Sequence, residues 1–373
     1  PYSFSLYCLP FVNELPLGRS HRSTVGSILA DNDYSVKREV RRQFAIINLN
    51  MNEQKIILSG VKPTGRPHIG NYFGAMKQFV DLQNEYRTFV MIADLHALTS
   101  VTNAETLRRD TLDVAIDYLA IGLDPDKVTI FKQSDVPTHT ELGWIFNCLT
   151  TMTFLARAHA FKDAEAKNRE VNVGLFTYPL LMAADILLYE TDLVPVGQDQ
   201  KQHVEIARDT AEKFNRTFGE IFKLPEPLIL DQVKTVIGLD GQKMSKSYRN
   251  TIPLFSEERE LKQLLMAIKT DSKGETEAKN PEECNVFALH RLFSIKNLPE
   301  LKRRYVEGTI GYRESKEILF GNMNRYLAPL RAKRTEIASR PDEVRAVLEK
   351  GATVAREVSE AKMAKVREAV GLK

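Results

Sequence analysis

The chain has 373 residues, of which 43% are hydrophobic and 27% charged, and a formal net charge of +3. That length accommodates two or three domains and a sizeable core. So small a positive charge permits a polyanionic partner without demanding one. The three cysteines, Cys8, Cys148 and Cys284, form no CxxC pair. Their spacing argues against a disulfide framework or structural metal site and for a reducing, cytoplasmic setting. No apolar run approaches the roughly 18–20 residues of a membrane span.

Residues 1–50 carry no sustained period, and LYCLPFV (6–12) is too short and badly placed for a signal peptide. Met51 directly precedes the first convincing strand. The stretch reads as an N-terminal extension, disordered or outside the natural protein. A transit peptide is the rival reading: Arg19, Arg22 and several serines suit it, whereas Glu14, Asp31, Asp33 and Glu39 oppose it.

From Lys55 short apolar runs alternate with longer amphipathic segments. KIILSG (55–60), TFVMIAD (88–94) and KVTIFKQ (127–133) read as buried strands. A helix between the second and third has Thr102 and Glu105 at capping-box spacing, an apolar stripe through Leu112, Ala115, Ile116 and Leu119, and Gly122 as its stop. LVPVG (193–197) reads as a further strand, with Pro195 a mark against it. A helix at about 199–218 follows, its face set by Val204, Ala207, Ala211, Phe214 and Phe218. After Thr251 every periodic segment is helical. The expected fold is α/β: a Rossmann-like parallel sheet with flanking helices over 51–250, then an all-helical domain over 251–373. Ligands of such sheets sit at the carboxyl ends of the strands.

SGVKPTGRPHIGNYFGAMKQF (59–79) joins the first strand to a helix. Its glycines allow close backbone approach, and a helix starting near Ile69–Gly70 would aim free N–H groups at an anion, with His68 and Asn71 placed to donate. GLDGQKMSKSYRN (238–250) sets Lys243 and Lys246 three apart in a loop with Ser245 and Ser247. Two such lysines can offset charge on a triphosphate as pyrophosphate leaves.

PTGRPHIGN (63–71) resembles the HIGH signature of the class I aminoacyl-tRNA synthetases, in the form carried by the tryptophanyl enzymes, and KMSKS (243–247) matches the second signature of that class. TYPLLMAADILLYE (177–190) and VPVGQDQKQHVEIARD (194–209) resemble the tryptophanyl enzymes as well. Tyr178, Met182 and Asp185 share one helical face. The resemblance runs from about Lys55 to the C-terminus and is dense to Asn250.

What this resemblance implies is specific. The reaction is ATP-dependent activation of L-tryptophan to tryptophanyl-adenylate and its transfer to tRNA(Trp). ATP is a substrate, Mg²⁺ comes with it, and the enzyme is a homodimer. His68, Asn71, Lys243 and Lys246 are the expected catalytic residues. ATP would also meet Lys62, Pro63, Thr64, Gly70, Gly197, Gln198, Asp199, Val236, Met244, Ser245 and Ser247. Tryptophan would meet Tyr178, Met182, Asp185 and Gln200, with Asp185 accepting the indole N–H. His96 is either a pocket residue or a structural histidine. Ala164 stands where family members carry a phosphate-binding lysine, with Lys162 and Lys167 nearby. The helical third is the expected anticodon reader, with Lys302, Arg303, Arg304, Arg325, Arg331, Lys333 and Arg334 available for phosphates. A tyrosyl enzyme shares both signatures, but Met182 and VPVGQDQ count against it. A paralogue that binds tRNA or a protein partner without catalysis and a small-molecule nucleotidylyltransferase are the other rivals; intact KMSKS opposes both.

Overall fold

Strands begin where apolar, β-branched residues cluster. The structure, a computed structural model, describes residues 54–157, 172–197, 201–229 and 236–373. The segment 1–50 lies outside these residues. β1 (Ile56–Val61), β2 (Arg87–Ile92), β3 (Val128–Lys132) and β4 (Leu193–Val196) occupy the expected runs. β5 (Glu226–Ile229) has no counterpart among the expected strands, because Pro225 and Pro227 obscure it. It lies at the sheet edge, where a missing ladder donor is tolerated. All pairings are parallel, in the order β3-β2-β1-β4-β5.

Successive side chains of a strand point to opposite faces, and here they feed two cores. Val90 and Ile92 of β2 enter one, Phe89 and Met91 the other. The first core is covered by α1 (Ile69–Asn71), which runs through a π turn (Tyr72–Met76) into α2 (Lys77–Leu82), and by α4 (Ala104–Ile121). A short α3 (Asp94–Ala97) follows β2. α4 is capped by Asn103, whose side chain accepts from Thr106 N at 2.8 Å. The expected cap, Thr102, is thus one residue early: the Asn103 amide oxygen takes the N–H three residues on, that of Thr106, where a Thr102 hydroxyl would have taken that of Glu105. Gly122 ends α4 with φ +109°, as its position suggests.

The second core is covered by α5 (Thr138–Leu149), α6 (Met152–Leu155), α7 (Val173–Leu187) and α8 (Lys201–Phe218). Val204, Ala207, Ala211 and Phe214 of α8 are fully buried, as their spacing requires. Beyond Thr251 come five helices of more than two turns: α9 (Glu258–Met266), α10 (Asn285–Phe293), α11 (Leu298–Val306), α12 (Tyr312–Ala338) and α13 (Pro341–Ala369).

These helices pack onto the sheet unit, and Gln54–Lys373 forms one compact body. α12 lies on α4, and Tyr326 of α12 meets Tyr72 of the π turn, oxygen to oxygen, at 3.0 Å. α13 runs along β3, with Leu348 in the first core and Ala352 in the second. At the crossing, a Cβ on Gly351 would fall 1.9 Å from the carbonyl oxygen of Ile130. Only glycine permits that approach.

Candidate active site

The chain runs from β1 outward to β3, then returns to the other side of β1 for β4. The switch point therefore lies between β1 and β4, where open α/β sheets bind ligands. Their ladder is recorded at Ile57 and Leu193, so the missing N–H of Pro195 falls where the strands have parted. A cavity of about 480 Å³ opens there. The end of β1 contributes Ser59, Gly60 and Lys62, and β4 contributes Val194 to Gly197. His96, Tyr178, Met182 and Asp185 complete its inner wall. The shared helical face read from the sequence is the face that meets this space.

Asp185 is 1% exposed and tightly bonded. Its Oδ2 accepts from His96 Nε2 at 2.8 Å, and its Oδ1 accepts from His139 Nδ1 at 2.6 Å and Gln133 Nε2 at 2.7 Å. Burial pushes its pKa up, but the two histidine hydrogen bonds outweigh burial and bring it to about 2. His139 Nε2 lies 2.8 Å from the Tyr189 hydroxyl. Tyr178 pairs with His203 at 2.7 Å, and burial raises its pKa to about 12.

The two signature segments meet outside this cavity. His68 caps the signature helix: Asn71 N donates to its Nδ1 at 3.2 Å, and His68 N donates to Asn71 Oδ1 at 3.1 Å. Burial, then Lys246, push the His68 pKa down to about 4. The ring is neutral near pH 7, with Nδ1 accepting, so Nε2 carries the proton and is the donor left for a ligand. Asn71 keeps its Nδ2 donors by the same reckoning. The row of free N–H groups expected at this helix start is already engaged: Ile69 N donates to Ile252 O at 2.9 Å and Asn71 N is held by His68. Gly70 N remains in that turn, so anion binding falls to side chains more than to the helix end.

Lys246 Nζ donates to the carbonyls of Thr64 at 2.7 Å and Gly65 at 3.0 Å. Partial burial of this ammonium lowers its pKa, while Asp110 and Asp117 oppose the shift. Met244 is buried and its N donates to Val236 O at 2.9 Å. Ser245 N donates to Asn250 Oδ1 at 2.8 Å, and Asn250 Nδ2 donates to Asp240 Oδ1 at 2.7 Å. Lys243 and Ser247 are exposed on the same loop. Lys62 bridges the two halves: it lines the cavity, donates to Thr99 Oγ1 at 3.0 Å, and accepts through its carbonyl from Thr64 N at 2.9 Å. Burial lowers its pKa. Pro63 beside it is buried.

Lys62, Gly197, His96, Tyr178, Met182 and Asp185 thus share one cavity, and Thr64, His68, Gly70, Asn71, Met244 and Lys246 cluster at the loop crossing. Gln198, Asp199, Gln200, Ala164, Lys162 and Lys167 lie outside the described residues. Gln133, His139 and Tyr189 were missed. A polar residue closing a strand (Gln133) and a histidine on an apolar helix (His139) were the available signals. Two of the basic residues offered to RNA are committed inside the fold: Arg334 donates to Asp117 at 2.6 Å and Asp113 at 2.9 Å, and Arg331 donates to Ser256 O at 2.9 Å. Among the described residues no group of three or more His, Cys, Asp or Glu is arranged to hold a metal ion, and no helix is long and apolar enough to cross a membrane.

The family described as "tRNA synthetases class I (W and Y)" matches residues 50–328. The chain is 52% identical over 317 residues to the tryptophan–tRNA ligase of Fusobacterium nucleatum, covering 84% of this chain and 97% of that protein. The chain belongs to the class I tRNA synthetases, on their tryptophanyl side. Another tryptophanyl relative, the ligase of Rhodopirellula baltica, is 48% identical over 85% of this chain and 99% of its own. A solved tryptophanyl-tRNA synthetase from Campylobacter jejuni, complexed with ADP and tryptophan, superposes with a TM-score of 0.81 at 46% identity, covering 85% of this chain and 99% of that one.

Proposed function

We propose that this chain activates L-tryptophan with ATP to tryptophanyl-adenylate and transfers the tryptophanyl group to tRNA(Trp) for protein synthesis. One observation carries the reading: a single cavity has the buried, ionised Asp185 on its inner wall and Lys62 at its mouth, beside the crossing where Lys246 meets Thr64.

In the first step a tryptophan carboxylate oxygen attacks the α-phosphorus of ATP in line, and the bond to pyrophosphate breaks. In the second a terminal ribose hydroxyl of tRNA, the 2′-OH by the class I pattern, attacks the acyl carbon and AMP leaves. No covalent enzyme intermediate is needed, so catalysis is positioning and charge stabilisation. His68 Nε2 and Asn71 Nδ2 are assigned to the phosphates as neutral donors. Lys243 and Lys246 are assigned to the charge that builds on departing pyrophosphate, with Ser245 and Ser247 as further donors and Mg²⁺ arriving as part of the ATP substrate. Thr64, Gly70, Gly197 and the backbone at Val236 and Met244 are assigned to ATP, and Asp185, Met182, Tyr178 and His96 to tryptophan. Asp185 can only accept, so it selects a ring with an edge donor and rejects phenylalanine.

The same reading makes residues 251–373 the anticodon-binding part, with Lys333 and Arg325 exposed and available to RNA and Arg331 and Arg334 removed from the candidates. It also makes the enzyme a cytoplasmic homodimer. Leu98, Trp144, Met152 and Val173 are large apolar side chains left exposed around α5 and α7, a surface suited to a second copy. Charging of purified tRNA(Trp) with labelled tryptophan tests the whole reaction. Charging is expected with tryptophan, and its absence in the presence of ATP and Mg²⁺ rejects the proposal.

A further inference from the structure

Asp185 and His96 line the cavity, but Gln133, His139 and Tyr189 stand behind them, each fully buried. No role in the reaction calls for these three side chains. Their hydrogen bonds form a directed chain. A carboxylate accepts only, so His139 Nδ1 must carry a proton to reach Asp185 Oδ1 at 2.6 Å. His139 Nε2 then accepts from the Tyr189 hydroxyl at 2.8 Å, and burial keeps that phenol protonated. Gln133 is oriented as well: its Oε1 accepts from His96 N at 3.3 Å, which leaves Nε2 to donate to Asp185 Oδ1 at 2.7 Å.

A carboxylate has about four acceptor positions. Oδ1 spends two on His139 and Gln133, and Oδ2 spends one on His96. The remaining acceptor position is on Oδ2, the oxygen beside the cavity-lining His96. Without the donors behind it, the buried carboxyl would rotate or take up a proton, and a protonated carboxyl would present a donor to the ring.

We propose that His139, its tautomer set by Asp185 and its far nitrogen held by Tyr189, is a positioning residue for side-chain specificity: it holds Asp185 so that one acceptor position, and no donor, faces the bound ring. The inference rests on the reading of tryptophan as substrate.

ATP–pyrophosphate exchange by the full chain tests it, using L-tryptophan and β-(1-benzothiophen-3-yl)-L-alanine, which keeps the bicyclic shape but lacks the N–H. His139→Leu should raise the KM for tryptophan about 10- to 100-fold by stripping a buried acceptor of its donor. It should leave kcat and the KM for ATP nearly unchanged and lower the preference for tryptophan over the analogue. His139→Asn, whose amide can replace the Nδ1 donor, should keep most of that preference. Tyr189→Phe should lower it partway. A folded His139→Leu protein with wild-type preference overturns the proposal, as does one whose loss lies in kcat alone. Should His139→Leu fail to fold, a Tyr189→Phe preference equal to wild type overturns it. Wild-type protein that exchanges with another amino acid and not with tryptophan rejects the substrate reading instead, a result distinguishable from either.

Discussion

Lys246 and Thr64 lie 182 positions apart, yet the lysine ammonium donates to the threonine carbonyl at 2.7 Å. The second signature loop is thereby closed over the first, and a bound triphosphate would exchange two carbonyl partners for phosphate oxygens. Lys246→Ala should lower the rate of adenylate formation about 100- to 1,000-fold, the scale for removing one electrostatic contact to a transition state. The KM for tryptophan should hardly move, since the ring cavity is elsewhere. Single-turnover adenylate formation checks this; an unchanged rate contradicts the role given to the loop.

His68 yields a pH prediction. Burial and the nearby Lys246 bring its pKa to about 4, so its donor stays on a neutral ring throughout the physiological range. Its titration should leave kcat/KM for ATP flat between pH 6 and 8. A limb near pH 6.5 in the wild type that disappears in His68→Asn would contradict this state. Stability carries the same sign: a depressed histidine pKa means the unfolded chain binds the proton first, so this contribution is lost as pH falls from about 6.5 toward 4.

Asp117 acts in the opposite sense. It is 1% exposed, and burial raises its pKa to about 6 despite Arg334 beside it. Between about pH 4 and 6 the folded state holds the proton more tightly, so stability from this group falls as pH rises. Arg334→Met should therefore cost roughly 3–5 kcal/mol at pH 8, where a buried carboxylate is left unpaired. The cost should shrink at pH 5, where Asp117 can be neutral. Urea unfolding at the two pH values measures it, and a cost independent of pH would contradict the account.

Gly351 and Gly321 give a paired test of packing. A methyl at 351 would strike the Ile130 carbonyl, whereas nothing lies within 4 Å of one at 321. Gly351→Ala should destabilise by about 1–3 kcal/mol or more, as overpacking does. Gly321→Ala should stabilise by up to about 1 kcal/mol, since it removes glycine from a helix interior. Thermal melting of both variants decides; equal effects would mean that α13 does not press backbone to backbone on β3.

How much of this was legible depends on how local the cause is. β1 to β4 and the helices after Thr251 announce themselves because period and capping are local properties. β5 does not, because its pairing to β4 is a property of the assembled sheet and its prolines hide it. Asp185 was legible as a buried charge needing a partner, but not which partner. Its donors come from positions 96, 133 and 139, which only the sheet brings together. The sequence pattern also suggested a helix end rich in free N–H groups, and could not show that Ile252 and His68 already occupy them. Arg331 and Arg334 looked like surface cations for the same reason, since their carbonyl and carboxylate partners lie far away in sequence.

On the proposed reading, the cavity ending in Asp185 takes tryptophan and no other amino acid. ATP–pyrophosphate exchange, run separately with tryptophan, tyrosine and phenylalanine, tests it most directly. Exchange is expected with tryptophan, little with tyrosine and none with phenylalanine; exchange with tyrosine and not tryptophan would overturn the assignment.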